Sequence, residues 1–115
     1  MSTTTKPQHL VALERANEIR LAGARWRREV REYPKAEGQA MLAEALERND
    51  IPDCLARMDL GWFLTAPQRL GPARAARLAL GAGVRRSKCR VRDLTLRQRS
   101  VLAARLRGER AEEEA

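Results

Sequence analysis

From Leu10 onward, apolar side chains recur every three or four positions, and nowhere do they alternate over a run long enough to suggest a strand. Leu10, Leu13, Ala16 and Arg20 fall on one line of a helix, and Ile19, Ala22, Trp26, Val30 and Tyr33 on a second. This period predicts one long helix over residues 7–33, opened by Pro7, whose missing N–H costs nothing in a first turn, and stopped by Pro34. Residues 1–6 precede it as a polar arm expected to be disordered. A second helix is predicted over 37–48, with Met41, Leu42, Ala45 and Leu46 as its apolar face and Asn49 as its C-cap. After Asp50-Ile51-Pro52, a short helical turn carries Cys54, Leu55 and Met58. Asp59 then caps a helix over 60–66 that holds Leu60, Trp62, Phe63 and Leu64, the most hydrophobic run in the chain and the expected centre of its core.

Gln68-Arg69-Leu70-Gly71 reads as a tight turn feeding Pro72, the first residue of a helix over 72–80 whose buried side is Ala75, Leu78 and Ala79. Gly81-Ala82-Gly83 breaks that helix. Residues 84–94 show no period and read as a basic connection. Thr95 and Gln98 have the spacing of a capping box, so a last helix starts there and runs to about 107, turning Leu94, Val101, Leu102 and Leu106 inward. Residues 108–115 are read as a frayed acidic tail. The expected architecture is all-α, a long N-terminal helix over 7–33 followed by a compact helical body over 34–107.

Charge shifts attention from fold to partner. The 115 residues suffice for one modest core. Of 23 cationic residues 20 are arginines, and the net charge is +8. Arginine-rich composition also follows from GC-rich coding, so placement says more than the total. Residues 66–107 hold 12 cations and a single anion, Asp93, whereas residues 34–65 hold three cations and six anions. So one-sided a field costs stability through self-repulsion unless a polyanion relieves it, and guanidinium forks onto phosphate oxygens in pairs.

Two stretches offer a mechanism for holding phosphate. The Gly71 turn leads into a helix N-terminus, where backbone amides and the positive end of the helix dipole face outward, with Arg69, Arg74 and Arg77 nearby. The competing reading is that a helix hairpin needs glycine there for steric reasons alone. The second stretch is Arg85, Arg86, Lys88, Arg90 and Arg92, five cations in eight residues, against the plainer reading of a solvated loop. On the first helix, Arg20, Arg27 and Arg28 flank the apolar rows. Trp26 and Trp62 are expected in the core, Cys54 as a small buried residue, Cys89 as a bystander thiol and His9 at the surface. One histidine, two distant cysteines, no glycine-rich nucleotide loop and no carboxylate cluster leave no basis for an enzyme, a metal site or a cofactor. No apolar segment approaches the ~20 residues of a membrane span, and residues 1–9 are polar, so a cytoplasmic chain with reduced thiols is expected.

The order of these pieces resembles the actinobacterial (mycobacterial-type) integration host factor family over most of residues 7–106. The resemblance lies in ALERANEIRLAGARWRREVRE, in ALERNDIPDCLARMDLGWFL, in the hairpin LGPARAARLALGAGV and in CRVRDLTLRQRSVLAARL. Within these, Gly71, Arg74, Ala75, Leu78, Gly83, Val84, Arg90-Val91-Arg92 and Leu94 fall where the family has similar residues. The chain departs from the pattern at Gln68-Arg69, where the family has Pro-Gly, and at Cys89, where it has Arg. The resemblance implies a long helix on a helical body with a helix-two-turns-helix motif like one in a ribosomal small-subunit protein. It further implies binding and deformation of double-stranded DNA with little sequence preference, in nucleoid organisation and in phage integration beside a recombinase or integrase, and the chain is expected to act as a monomer. Arg90, Arg92 and the Gly71 turn with Arg74 would touch DNA, and arginines of the first helix would hold a second duplex segment. Two rivals remain on the residues alone. Structured RNA is one, although scarce exposed aromatics argue against single-strand recognition. An adaptor whose arginine face meets an acidic protein is the other.

Overall fold

Six α-helices and one 3-10 turn account for the fold, in a computed structural model that describes residues 7–85 and 88–114 and side chains as far as 108. The helices are α1 (Gln8–Arg31), α2 (Lys35–Glu47), α3 (Asp53–Ala56), α4 (Leu60–Leu64), α5 (Pro72–Gly81) and α6 (Leu96–Glu114), with the 3-10 turn at Val91–Asp93. Among the described residues there is no strand, only an isolated antiparallel bridge between Asp59 and Arg90. Arm residues 1–6 lie outside the described residues.

Only one of the two apolar rows of α1 packs. Gly23 and Val30 are buried and Trp26 packs against the core, whereas Leu10, Leu13 and Leu21 are exposed, as is Tyr33 just beyond the helix. Every residue from Gln8 to Glu18 is exposed, so the N-terminal half of a helix of ~36 Å projects from the body. That projection accounts for dimensions of 68 × 29 × 25 Å. Gly23 sits where α1 crosses residues 54–58. A Cβ there would lie 3.0 Å from Met58 Cε and 3.4 Å from the Cys54 carbonyl oxygen, so glycine sets the closeness of the approach. One turn on, the Trp26 indole stacks on Phe63 with centroids 5.2 Å apart and planes 8° from parallel.

The rest of the core forms where α2 and α6 pack together, burying Leu42, Ala43 and Leu46 of one and Leu102, Ala103 and Leu106 of the other. Phe63, Leu64 and Leu78 complete it. Local chemistry sets several helix ends. The Asp59 carboxylate accepts the Trp62 amide at 3.3 Å. Thr95 and Gln98 exchange two bonds of 3.0 Å, the capping box their spacing predicts. At the end of α5, Gly83 takes φ +85°, its amide reaches Leu80 and the Val84 amide reaches Ala79, a Schellman closure with Val84 buried behind it.

Several expectations need correction. Helix α2 starts at Lys35, and its C-cap is Arg48, in an extended conformation, rather than Asn49. Cys54 is half-buried. The 84–94 stretch is no mere connection: Cys89 and Val91 are buried, the Leu60 amide bonds Cys89 at 2.7 Å and the Val91 amide bonds Met58 at 3.0 Å. Helix α6 continues to Glu114, through the stretch expected to fray. Most consequential, Trp62 is not in the core but 44% exposed.

Candidate nucleic-acid interface

Guanidinium groups do two different jobs in this fold, and the first is structural. A short helix ends with carbonyls that lack intrahelical partners. Two α1 arginines supply them for α4: Arg27 Nε donates to the Trp62 carbonyl at 3.0 Å and Nη2 to the Thr65 carbonyl and Oγ1 at 3.3 Å. Arg31 donates to the Ala66 carbonyl at 3.3 Å and the Thr65 carbonyl at 3.4 Å, and its own carbonyl accepts Gln68 Nε2 at 2.6 Å. The Arg27 guanidinium carbon also lies 4.6 Å from the centre of the Trp62 ring. Burial, and then the charge of Arg31, lower the pKa of Arg27 from its ordinary value. Arg99 treats the end of α2 in the same way, reaching the Leu46 carbonyl at 3.0 Å and that of Arg48. Arg107 pairs with Glu47, which raises the arginine's pKa and lowers the carboxylate's through the shared hydrogen bond. Arg27, expected at a nucleic-acid surface, therefore serves the fold.

The second job belongs to cations that form no ion pair among the described residues. Arg20 of α1, Arg57 after α3 and Arg90 before the 3-10 turn line one open depression of about 290 Å³, together with Ile19, Gly23, Cys54, Asp59 and Trp62. The backbone pairing of 58–60 with 89–91 is what brings Arg57 and Arg90 together across 33 positions of sequence. Arg20 bonds only the neutral Asn17, and among the described residues Arg20, Arg57 and Arg90 have no ion pair. The one carboxylate in the depression, Asp59, accepts the Trp62 amide. Next to it runs a larger groove of about 660 Å³ between α4 and α5, lined by Trp62, Leu64, Thr65, Pro72, Ala76, Leu80, Val84 and Arg85 among others. Trp62 borders both.

Comparison with family models, with curated proteins and with solved structures gives no match for this chain.

The remaining sequence-derived candidates divide accordingly. Lys88 and Arg92 are exposed on either side of Cys89–Val91, in sequence next to Arg90. Arg86 lies outside the described residues. Arg28, Arg69 and Arg77 are exposed but line neither hollow, and Arg74 is half-buried and already has an interaction. At Gly71 the steric explanation fails: φ is −87°, and a Cβ would meet nothing within 4 Å. The left-handed residue of that turn is Arg69, with φ +61°. The Gly71 carbonyl accepts the Ala75 amide at 3.0 Å, opening α5, so the amides before it face out of the helix end. Among the described residues no cluster of His, Cys, Asp and Glu could hold a metal, and no helix is long and apolar enough to cross a membrane.

Arg57 and the exposure of Trp62 are what sequence reasoning missed. For Trp62 the signal was present. Leu60, Phe63 and Leu64 already occupy i, i+3 and i+4 of α4, and position 62 lies about 200° round from Leu60. For Arg57 there was none, since its partner in the depression arrives through a non-local bridge.

Proposed function

We propose that this protein binds duplex DNA through the phosphate backbone, without catalysis, as a relative of the actinobacterial integration host factors it resembles, organising or bending DNA in the cytoplasmic nucleoid. The observation that carries this reading is the depression where Arg20, Arg57 and Arg90, in no ion pair among the described residues, outnumber its one carboxylate, Asp59. Holding three guanidiniums together costs electrostatic energy that a polyanion returns on binding. With Arg85 in the adjoining groove, and with Lys88 and Arg92 exposed and two positions from Arg90 in sequence, the proposed phosphate-binding set has six cations. Base-reading side chains on a recognition helix are not part of the surface, so any preference for site comes from DNA shape and deformability. The open Gly71 turn adds backbone amides, which suit an anion approaching without a side chain in its way.

Neutralising about six phosphates makes log K fall with log salt at a slope of about −5. The test is fluorescence anisotropy with a random-sequence duplex of ~25 bp across a salt series, on the wild type and on Arg57→Ala/Arg90→Ala. The double variant is expected to reduce the slope by about 2 while melting at the wild-type temperature. Equal affinity at 50 and 300 mM salt would rule out backbone binding and favour an adaptor role. Displacement of the duplex by a lower concentration of structured RNA would transfer the surface to RNA.

A further inference from the structure

We infer that Trp62 is a base-stacking platform, and that the protein prefers duplexes with an unstacked or bulged base over perfect ones. The inference rests on the nucleic-acid reading and adds to it a determinant of specificity. A tryptophan 44% exposed beside three unpaired arginines is costly to leave in water, and the fold spends structure on keeping it there. Arg27 covers one face of the indole at 4.6 Å while its Nε holds Trp62's own carbonyl at 3.0 Å, so the guanidinium is tied to the backbone that carries the ring. The ring is thereby fixed in direction, and stacking on it requires little further loss of side-chain freedom. With one face taken by Arg27, a stacking partner is left the other face and the edge. Trp62 lines the apolar groove, where the side chains of Leu80 (69% exposed), Pro72 and Ala76 offer no hydrogen bonds.

The charge pattern selects the occupant. Arg20, Arg57 and Arg90 lie on the depression that Trp62 shares, and Arg85 on the groove; against these four cations stands one carboxylate, Asp59, which lines both. Cations on both sides of an aromatic platform match a nucleotide, whose phosphates flank a planar base, better than an apolar peptide. A base within a regular stack cannot reach the ring. A kink, bulge or gap frees one, so the platform rewards DNA that is already deformed or is being bent.

The test compares a ~25 bp duplex with the same duplex carrying a two-base bulge, by anisotropy and tryptophan emission, for wild type, Trp62→Ala and Trp62→Leu. Leucine keeps apolar contact under Arg27 but has no face to stack on. Wild type is expected to favour the bulged duplex about tenfold, and both variants to bind the two duplexes alike. Emission is expected to fall when wild type binds the bulge and to stay level in the Trp62→Leu protein, where Trp26 is the remaining fluorophore. A preference kept by both variants, or no preference and no quenching in wild type, overturns the inference while salt-dependent duplex binding leaves the DNA reading standing. Failure to bind any nucleic acid overturns both. A wild-type dimer in sedimentation that Trp62→Leu dissociates would assign the face to a second copy instead.

Discussion

Gln39 lies in α2 with none of its surface exposed, and neither Nε2 nor Oε1 has a hydrogen-bond partner among the described residues. A neutral amide buried without partners costs about 1–3 kcal/mol on the scale set by protein variants. Methionine has the same unbranched length and number of rotatable bonds, and it replaces the amide with a thioether that fills the same space. Volume-conserving exchanges cost under ~1.5 kcal/mol in repacking, so Gln39→Met should come out ahead by about 1 kcal/mol. For a domain of this size that corresponds to a rise in Tm of roughly 4 °C, and to a higher guanidinium midpoint with unchanged m. Gln39→Glu provides the opposite control. It places a carboxylate at the same point, is expected to lose several kcal/mol at neutral pH, and regains part of that as acid protonates the group. A lower midpoint for Gln39→Met with unchanged m would refute the reasoning, since it would show that the amide is satisfied in solution.

The two jobs assigned to arginine separate on α1. Arg27→Ala is expected to destabilise by about 1 kcal/mol, by removing one donor from each of the Trp62 and Thr65 carbonyls, which keep Thr65 Oγ1 and Arg31 respectively, with little change in salt slope; Arg28→Ala, at an exposed position, should leave stability alone, as paired thermal melts and anisotropy would show. Arg69→Gly is expected to stabilise by up to about 1 kcal/mol in a denaturant titration, because φ +61° costs a side-chain-bearing residue about that much and glycine little.

Helix ends were legible because their determinants sit within a few residues of one another: Asp59 before Trp62, Thr95 with Gln98, Pro72 opening α5 and Gly83 closing it. The core was legible where a clear 3.6-residue period ran, as with Leu102 and Leu106. In α4, counting hydrophobicity without assigning faces put Trp62 inside, although Leu60, Phe63 and Leu64 had already claimed the inner side of a helix only five residues long. The site was less legible than the fold. Arg27 and Arg28 are adjacent and chemically alike, and what separates them is where the end of α4 happens to arrive. No local pattern carries that information.

The same distinction governs how the charge of this chain should be read. The net charge of +8 treats every cation as equivalent, but the fold does not. Arg27, Arg31 and Arg99 are bound to carbonyls at helix ends, and Arg107 is paired with Glu47. Replacing one of them subtracts a charge from the total yet chiefly disturbs stability. Arg20, Arg57 and Arg90 have no such obligations, and the bridge between Asp59 and Arg90 joins the segments that hold the last two. An electrostatic surface in so small a helical protein is therefore built twice. Sequence supplies an excess of arginine, and the fold consumes those it needs for helix ends. What remains is a smaller set without ion pairs among the described residues, and under the proposed DNA binding it is this set that a salt titration would count.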